Sequence, residues 1–83
     1  MQITFKLYAM LADYLPPERR GNEVSLSVPE ESTITDVIEP RNLPERLVHL
    51  VLVNGRYVAP ADRAGHILKN GDVLAIWPPV AGG

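Results

Sequence analysis

Val51-Leu52-Val53-Asn54-Gly55-Arg56-Tyr57-Val58 is the stretch that predicts local structure most sharply. Its Asn-Gly pair lies between apolar and β-branched residues and favours a two-residue type I′ turn, because both central residues of that turn need a positive φ. The stretch therefore predicts a β-hairpin, and the chain on either side has to supply the remaining strands of a sheet.

Three further strands are predicted around this hairpin. Residues 2 to 8 alternate between polar and apolar side chains, which is the period of a half-buried strand. Residues 24 to 28 repeat that period and predict a strand paired with the first. Residues 73 to 77 are apolar at every position, as is typical of a central strand covered on both faces.

Two short helices are predicted between these strands. Residues 9 to 15 place apolar side chains at helical spacing until Pro16 and Pro17 end the segment. Thr33, with Asp36 three residues later, can cap a second helix of about two turns. The helical spacing of the first segment is carried by Met10, Leu11, Tyr14 and Leu15. The side chains predicted to form most of the core are Ile3, Phe5, Leu7, Val24, Leu26, Val28, Ile34, Val37, Ile38, Val51, Val53, Leu74 and Ile76.

The order of elements predicts the fold class. Strand, helix, strand, helix, hairpin and final strand, with the last strand parallel to the first, describe an α+β fold of the β-grasp, or ubiquitin-like, type. Its mixed sheet would carry the short helices on one face. Residues 1–79 are predicted to form the domain, and residues 80–83 a flexible C-terminal tail.

Composition excludes several classes of function. The chain has 83 residues, which fit one domain, and a formal net charge of -2, which leaves no basic surface for nucleic acid. It contains no cysteine, so disulfides and thiolate metal sites are excluded. No apolar run approaches the roughly 20 residues that a membrane span needs, and residues 1 to 6 lack the basic head and apolar block that are typical of a secretory signal. A cytoplasmic location is expected.

Candidate catalytic side chains are few. His49 and His66 have no carboxylate or histidine at ligand spacing, so no metal site is predicted and neither histidine is assigned a role. Ser32 and Thr33 are better explained by helix capping than by nucleophilic catalysis. We expect no bound cofactor and no catalytic pocket in this chain.

The C-terminal residues, Pro78-Pro79-Val80-Ala81-Gly82-Gly83, form an unusual ending. The two prolines favour an extended chain, and the two glycines carry no Cβ that would hinder entry into a narrow channel. Six residues of extended chain reach about 20 Å. The ending is therefore thin enough and long enough to carry the carboxylate of Gly83, the candidate reactive group, away from the domain.

The whole chain resembles the MoaD/ThiS family of sulfur carriers. The resemblance is carried by residues 3–9, 53–55, 70–73 and above all 76–83, because Pro-Pro-Val followed by a small residue and Gly-Gly is typical of the small subunit of molybdopterin synthase. It implies that an ATP-dependent, ubiquitin-activating-like adenylyltransferase adenylates Gly83. Sulfur then displaces AMP and leaves a thiocarboxylate, which donates sulfur to a pterin precursor held by the molybdopterin synthase large subunit.

The resemblance also implies roles for the rest of the ending. Ala81 and Gly82 would thread through the partner channel, and the residues expected to bind the partner are Trp77, Pro78, Pro79 and Val80. The position of Trp77, at the end of the last strand, fits a core residue and an exposed anchor equally well.

Other acceptors and one other class of function stay open. The sulfur could serve a tungsten-type pterin cofactor, the thiazole of thiamine or a transfer RNA base, although Pro78-Pro79 weighs against thiamine. Residues 11–21 and the short second helix are more similar to the ubiquitin-like module fused to a nuclease-type domain in the Mut7-C group. Such a module would be a non-catalytic interaction domain, and these modules generally lack the Gly-Gly ending.

Overall fold

Five strands form one mixed sheet in the computed structural model, which describes residues 1–79. One α-helix packs on one face, and short 3-10 helices connect the remaining elements. The strands are β1 (Gln2–Leu7), β2 (Glu23–Ser27), β3 (Leu50–Val53), β4 (Arg56–Tyr57) and β5 (Val73–Trp77). The α-helix is α1 (Ile34–Ile38), and the 3-10 helices span Ala9–Tyr14, Glu39–Arg41, Glu45–Leu47 and Pro60–Asp62.

The first and last strands of the described chain pair at the centre of the sheet. The strand order is β2-β1-β5-β3-β4, and β1 runs parallel to β5 with Phe5 opposite Leu74 and Leu7 opposite Ile76. All four of these side chains are fully buried, and Ala75 is buried on the other face. The predicted parallel pairing and the central position of β5 are confirmed, but the face of β5 that carries Ala75 is only partly covered, because Val73 and Trp77 are half-buried.

The predicted hairpin turn joins β3 and β4. Asn54 and Gly55 have φ of 52° and 82°, the pair of positive values that a type I′ turn requires. The Asn54 amide Nδ2 donates to Asp72 Oδ1 at 2.9 Å, while Asn54 Oδ1 accepts from the Val73 N–H at 2.9 Å. Asp72 Oδ2 also accepts from the Lys69 N–H at 2.8 Å. The hairpin turn is therefore fastened to the turn that leads into β5.

The predicted capping signal starts α1. Thr33 Oγ1 accepts from the Asp36 N–H at 3.1 Å, and the Thr33 N–H donates to Asp36 Oδ2 at 3.0 Å. Each residue thus satisfies a backbone N–H that the first helical turn leaves free. The helix buries Ile34 and Val37 against the sheet.

Two of the predicted core residues are only partly buried. Val28 follows the last residue of β2, and Ile38 is the last residue of α1, so both pack against the margin of the core. Pro29 and Pro40 follow them closely and prevent either element from continuing further over the core.

The predicted first helix is a 3-10 helix. The Leu11 N–H donates to the Tyr8 carbonyl and the Leu15 N–H to the Ala12 carbonyl, both at 3.1 Å, so these bonds join residues three apart. Leu11 and Leu15 are buried, whereas Met10 is 57% exposed and Tyr14 39% exposed. Only two of the four residues at helical spacing, Leu11 and Leu15, therefore face the core.

The core also contains residues that are absent from the predicted core, namely Leu11, Leu15, Val58, Leu68 and Ala75. Val58 and Leu68 lie outside strands and helices, where no period indicates burial. Within residues 1–79, no helix is long and apolar enough to cross a membrane. The predicted tail, residues 80–83, lies outside the described residues.

Candidate functional site

The sheet face opposite α1, here called the open face, divides into a polar and an apolar half. On β1 and β2, Gln2 bonds to two serines: its Nε2 donates to Ser27 Oγ and its Oε1 accepts from Ser25 Oγ, both at 3.1 Å. Next to them, Lys6 Nζ lies 3.8 Å from Glu23 Oε1. The polar half is thus internally paired.

The apolar half covers β5, β3 and β4. Cross-strand neighbours share a face of the sheet, so the pairing of Ala75 with Leu52, of Leu52 with Tyr57 and of Leu50 with Trp77 places these side chains together. Apart from the buried Ala75 they are half-buried or exposed, and Tyr57 is 57% exposed. An apolar surface of this kind is typical of a protein-binding site.

Two aromatic rings lie at the edge of this apolar half. Tyr8 and Trp77 stack with ring centroids 4.0 Å apart and an angle of 4° between the ring planes. The Tyr8 N–H donates to the Ile76 carbonyl at 3.1 Å, which continues the β1–β5 pairing up to the stack. Trp77 is half-buried and lies outside the hydrophobic core, so it is available in part to a partner.

The tail begins beside this stack. β5 ends at Trp77, Pro78 is buried and Pro79 is exposed, so Pro79 is the first residue of the ending that the domain no longer covers. Val80, Ala81, Gly82 and Gly83 lie outside the described residues. The structure therefore places the start of the tail at the margin of the apolar half.

A groove of about 820 Å³ lies between the end of α1 and the segment around Arg63. Arg63 is buried, and its guanidinium donates to the carbonyls of Val58 at 3.1 Å and His49 at 3.2 Å. These bonds satisfy carbonyls of two connecting segments, which is a structural role. We assign the groove no function.

The described residues assemble no catalytic cluster of recognisable kind. Among residues 1–79, no group of three or more histidine or carboxylate side chains could hold a metal ion. His49 is exposed and its N–H donates to the Trp77 carbonyl, whereas His66 is half-buried and its carbonyl accepts from the Ile34 N–H. The features of this domain that bear on function are the apolar half of the open face and the start of the tail.

Tyr8 is the site residue that the sequence analysis missed. The alternation of β1 placed it on the polar face of that strand, where Lys6 precedes it. The parallel pairing of the first and last strands, which was predicted, would have placed Tyr8 beside Trp77. The pairing of the first and last strands, and not the residue type at position 8, therefore indicates that Tyr8 belongs to the site.

The chain is similar to several proteins of known structure. The chain is similar to SAMP1 from Haloferax volcanii, with 25% identity, full coverage of both chains and a TM-score of 0.69. It is similar to the Haloferax volcanii HVO 2177 protein, with 27% identity over all of this chain and 87% of that one and a TM-score of 0.77. No curated protein sequence matches.

A third structure resembles the chain in fold. A putative molybdopterin converting factor, subunit 1, from Pyrococcus furiosus has a TM-score of 0.68 and 23% identity, over 95% of this chain and 98% of that one. These neighbours confirm the ubiquitin-like β-grasp fold and are consistent with the resemblance to the MoaD/ThiS sulfur carriers. The model of the Mut7-C ubiquitin family matches residues 1–82. The chain belongs to the Mut7-C ubiquitin family, a group of ubiquitin-like domains.

Proposed function

We propose that this protein is a sulfur carrier that acts through the C-terminal carboxylate of Gly83. The observation that carries the proposal is the start of the tail at Pro79, beside the Tyr8–Trp77 stack and the apolar half of the open face. A partner that binds the apolar half of the open face lies close enough to receive Gly82 and Gly83, which carry no side chains. The similarity to SAMP1 and to a molybdopterin converting factor subunit supports a carrier role.

The chemistry proceeds in two steps within the partner enzyme. A carboxylate oxygen of Gly83 attacks the α-phosphorus of ATP, and pyrophosphate leaves, which gives an acyl adenylate. Sulfide then attacks the acyl carbon, and the C–O bond to AMP breaks. When the attacking group is a protein persulfide, the product is an acyl disulfide, and a second thiol of the sulfur donor breaks its S–S bond and is oxidised with the donor to a disulfide. Either route leaves a thiocarboxylate at Gly83. The carrier contributes the substrate carboxylate and the surface that positions it.

We infer two classes of partner. One is an ATP-dependent, ubiquitin-activating-like adenylyltransferase that forms the adenylate, and the other is a molybdopterin synthase large subunit that holds the pterin precursor. The open face and Trp77, Pro78, Pro79 and Val80 bind these partners, while Ala81 and Gly82 pass through the channel to the active site. Both reactions take place in an active site that the partner supplies.

The acceptor that we favour is the pterin precursor of the molybdenum cofactor. The Pro78-Pro79-Val80 ending supports this choice, and a tungsten-type pterin, the thiamine thiazole and a transfer RNA base are the alternative acceptors. Reconstitution tests the choice of acceptor. The purified thiocarboxylated carrier is mixed with the pterin precursor and with the large subunit encoded in the same genome. We expect dithiolene formation together with loss of the sulfur from the carrier. An unchanged carrier mass would exclude the pterin acceptor.

A second candidate function is a non-catalytic interaction module. The family match favours it, because it covers residues 1–82 with the Mut7-C ubiquitin model. In that case the open face would bind a protein and Gly83 would take no part in chemistry. Deletion of Gly83 separates the two functions, since a carrier loses sulfur transfer on deletion and a module retains its partner binding.

A further inference from the structure

The 3-10 helix Ala9–Tyr14 exposes two large apolar side chains that the open face does not include. We propose that Met10 and Tyr14 form a second docking surface for the adenylating enzyme that receives Gly83. This inference rests on the proposed function. The proposal gives a role to Met10 and Tyr14, which are exposed although the spacing of this segment predicted a helix.

The segment is held firmly although part of it is exposed. Leu11 is fully buried, and Leu15, directly after the helix, is also buried. The Arg19 guanidinium donates to the Ala12 carbonyl at 2.6 Å, which fastens the middle of the helix from outside. Met10, which is 57% exposed, therefore lies on an ordered segment. A partner that binds here does not have to order this stretch of backbone, which reduces the entropy lost on docking.

The backbone before Met10 is strained. Ala9 has a φ of 52°, a left-handed conformation that residues other than glycine adopt rarely. This turn separates Tyr8, which is stacked on the open face, from Met10. Backbone strain of this kind is often retained where it serves binding.

The location of the segment places it where a partner that receives Gly83 has to bind. Because β1 and β5 are parallel, their carboxyl ends lie at the same edge of the sheet, where the 3-10 helix follows β1 and the tail follows β5. The 3-10 helix also contacts β5 directly. Met10, Tyr14 and the start of the tail therefore share one end of the domain.

The length of the tail sets how near the enzyme has to come. Four residues follow Pro79, and an extended chain of that length spans about 14 Å. An enzyme that encloses the Gly83 carboxylate and ATP in one active site must therefore approach this end of the domain closely. The exposed apolar residues at that end then become part of its contact surface.

The test measures ATP–pyrophosphate exchange by the adenylyltransferase from the same genome at varied carrier concentration. Met10→Glu should raise the KM for the carrier about tenfold, which corresponds to about 1.4 kcal/mol, and leave kcat unchanged. Tyr14→Ser should also raise KM, whereas Met10→Leu, which keeps an apolar side chain at this position, should keep the wild-type KM. All variants are checked for unchanged thermal unfolding.

The matched control is Ile67→Glu. Ile67 is as apolar as Met10 and is 52% exposed, but it pairs with Thr33 and precedes the amino end of β5, at the opposite end of the strand from the tail. Its substitution should leave KM unchanged. An unchanged KM for Met10→Glu, or an equal rise for Ile67→Glu, would overturn the inference. Absence of Gly83-dependent exchange with the wild-type chain would instead overturn the proposed function on which it rests.

Discussion

Tyr8 and Trp77 stack face to face across two parallel strands, with ring centroids 4.0 Å apart and ring planes 4° apart. Tyr8 follows the last residue of β1 and Trp77 is the last residue of β5, so the stack joins the two strands where both end. Pro79, two residues beyond Trp77, is exposed and directly precedes the predicted tail, residues 80–83. The stack therefore fixes the point from which the tail leaves the domain.

Replacement of Tyr8 by alanine should weaken both stability and partner binding. Loss of the aromatic pair costs about 1 kcal/mol beyond the buried area, and the indole of Trp77 becomes more mobile. Urea unfolding followed by the fluorescence of Trp77, the single tryptophan, measures the change. Tyr57→Ala is the control, because Tyr57 lies on the same face and is 57% exposed. An equal loss of stability in both variants would show that the stack contributes nothing particular.

Asn54→Gly separates turn conformation from side-chain bonding. Glycine keeps the positive φ of the turn but removes the bonds to Asp72 and to the Val73 N–H, so we expect a loss of about 1 to 2 kcal/mol. A double-mutant cycle with Asp72→Ala isolates the contribution of the Asn54–Asp72 pair. Additive effects in that cycle would mean that the two side chains do not interact in solution.

Ala9→Gly should stabilise the protein. A left-handed conformation costs an alanine about 1 to 2 kcal/mol, whereas glycine adopts it freely and loses part of this gain through unfolded-state entropy. We expect the melting temperature to rise by about 4 °C. Ala9→Val should lower it, because a β-branched residue fits a positive φ poorly. A lower melting temperature for Ala9→Gly would show that Ala9 is not strained.

Features that depend on residues close in sequence explain why much of the fold was predictable. The alternation of residues 2 to 8, the Asn54-Gly55 pair and the Thr33–Asp36 capping box each depend on neighbours close in sequence, and the structure contains all three. Leu68 and Arg63 are buried in connecting segments. Their burial depends on contacts distant in sequence, which no local period encodes.

The candidate site was predictable only in part. The Gly82-Gly83 ending identifies a chemical group by composition alone, and Trp77 stood out as a large aromatic at a strand end. Met10 and Tyr14 fit the helical spacing of the first segment, but both are exposed on the 3-10 helix that it forms. The spacing alone did not separate these two exposed residues from the two buried ones, Leu11 and Leu15.

Gly82→Ala tests whether the tail passes through a narrow channel. A channel shaped around a backbone without side chains should reject an added methyl group, and misplacement by about 1 Å can cost on the order of 100-fold in rate. We expect Gly82→Ala to fold normally and to slow thiocarboxylate formation or sulfur delivery far more than Ala81→Ser does. Single-turnover assays with each partner separate the two steps. Equal rates for both variants in both assays would remove the requirement for glycine.

The most direct measurement is the intact mass of the chain after incubation with the adenylyltransferase, ATP and a sulfur donor. A carrier gains the mass difference of one oxygen-to-sulfur exchange, located at Gly83 by fragmentation, and the gain disappears when ATP is omitted or Gly83 is deleted. The Gly83 deletion should leave the melting temperature nearly unchanged, which shows that the loss is chemical. An unchanged mass in the complete reaction, or the same gain in the Gly83 deletion, would contradict the assignment of the C-terminal carboxylate as the sulfur-carrying group.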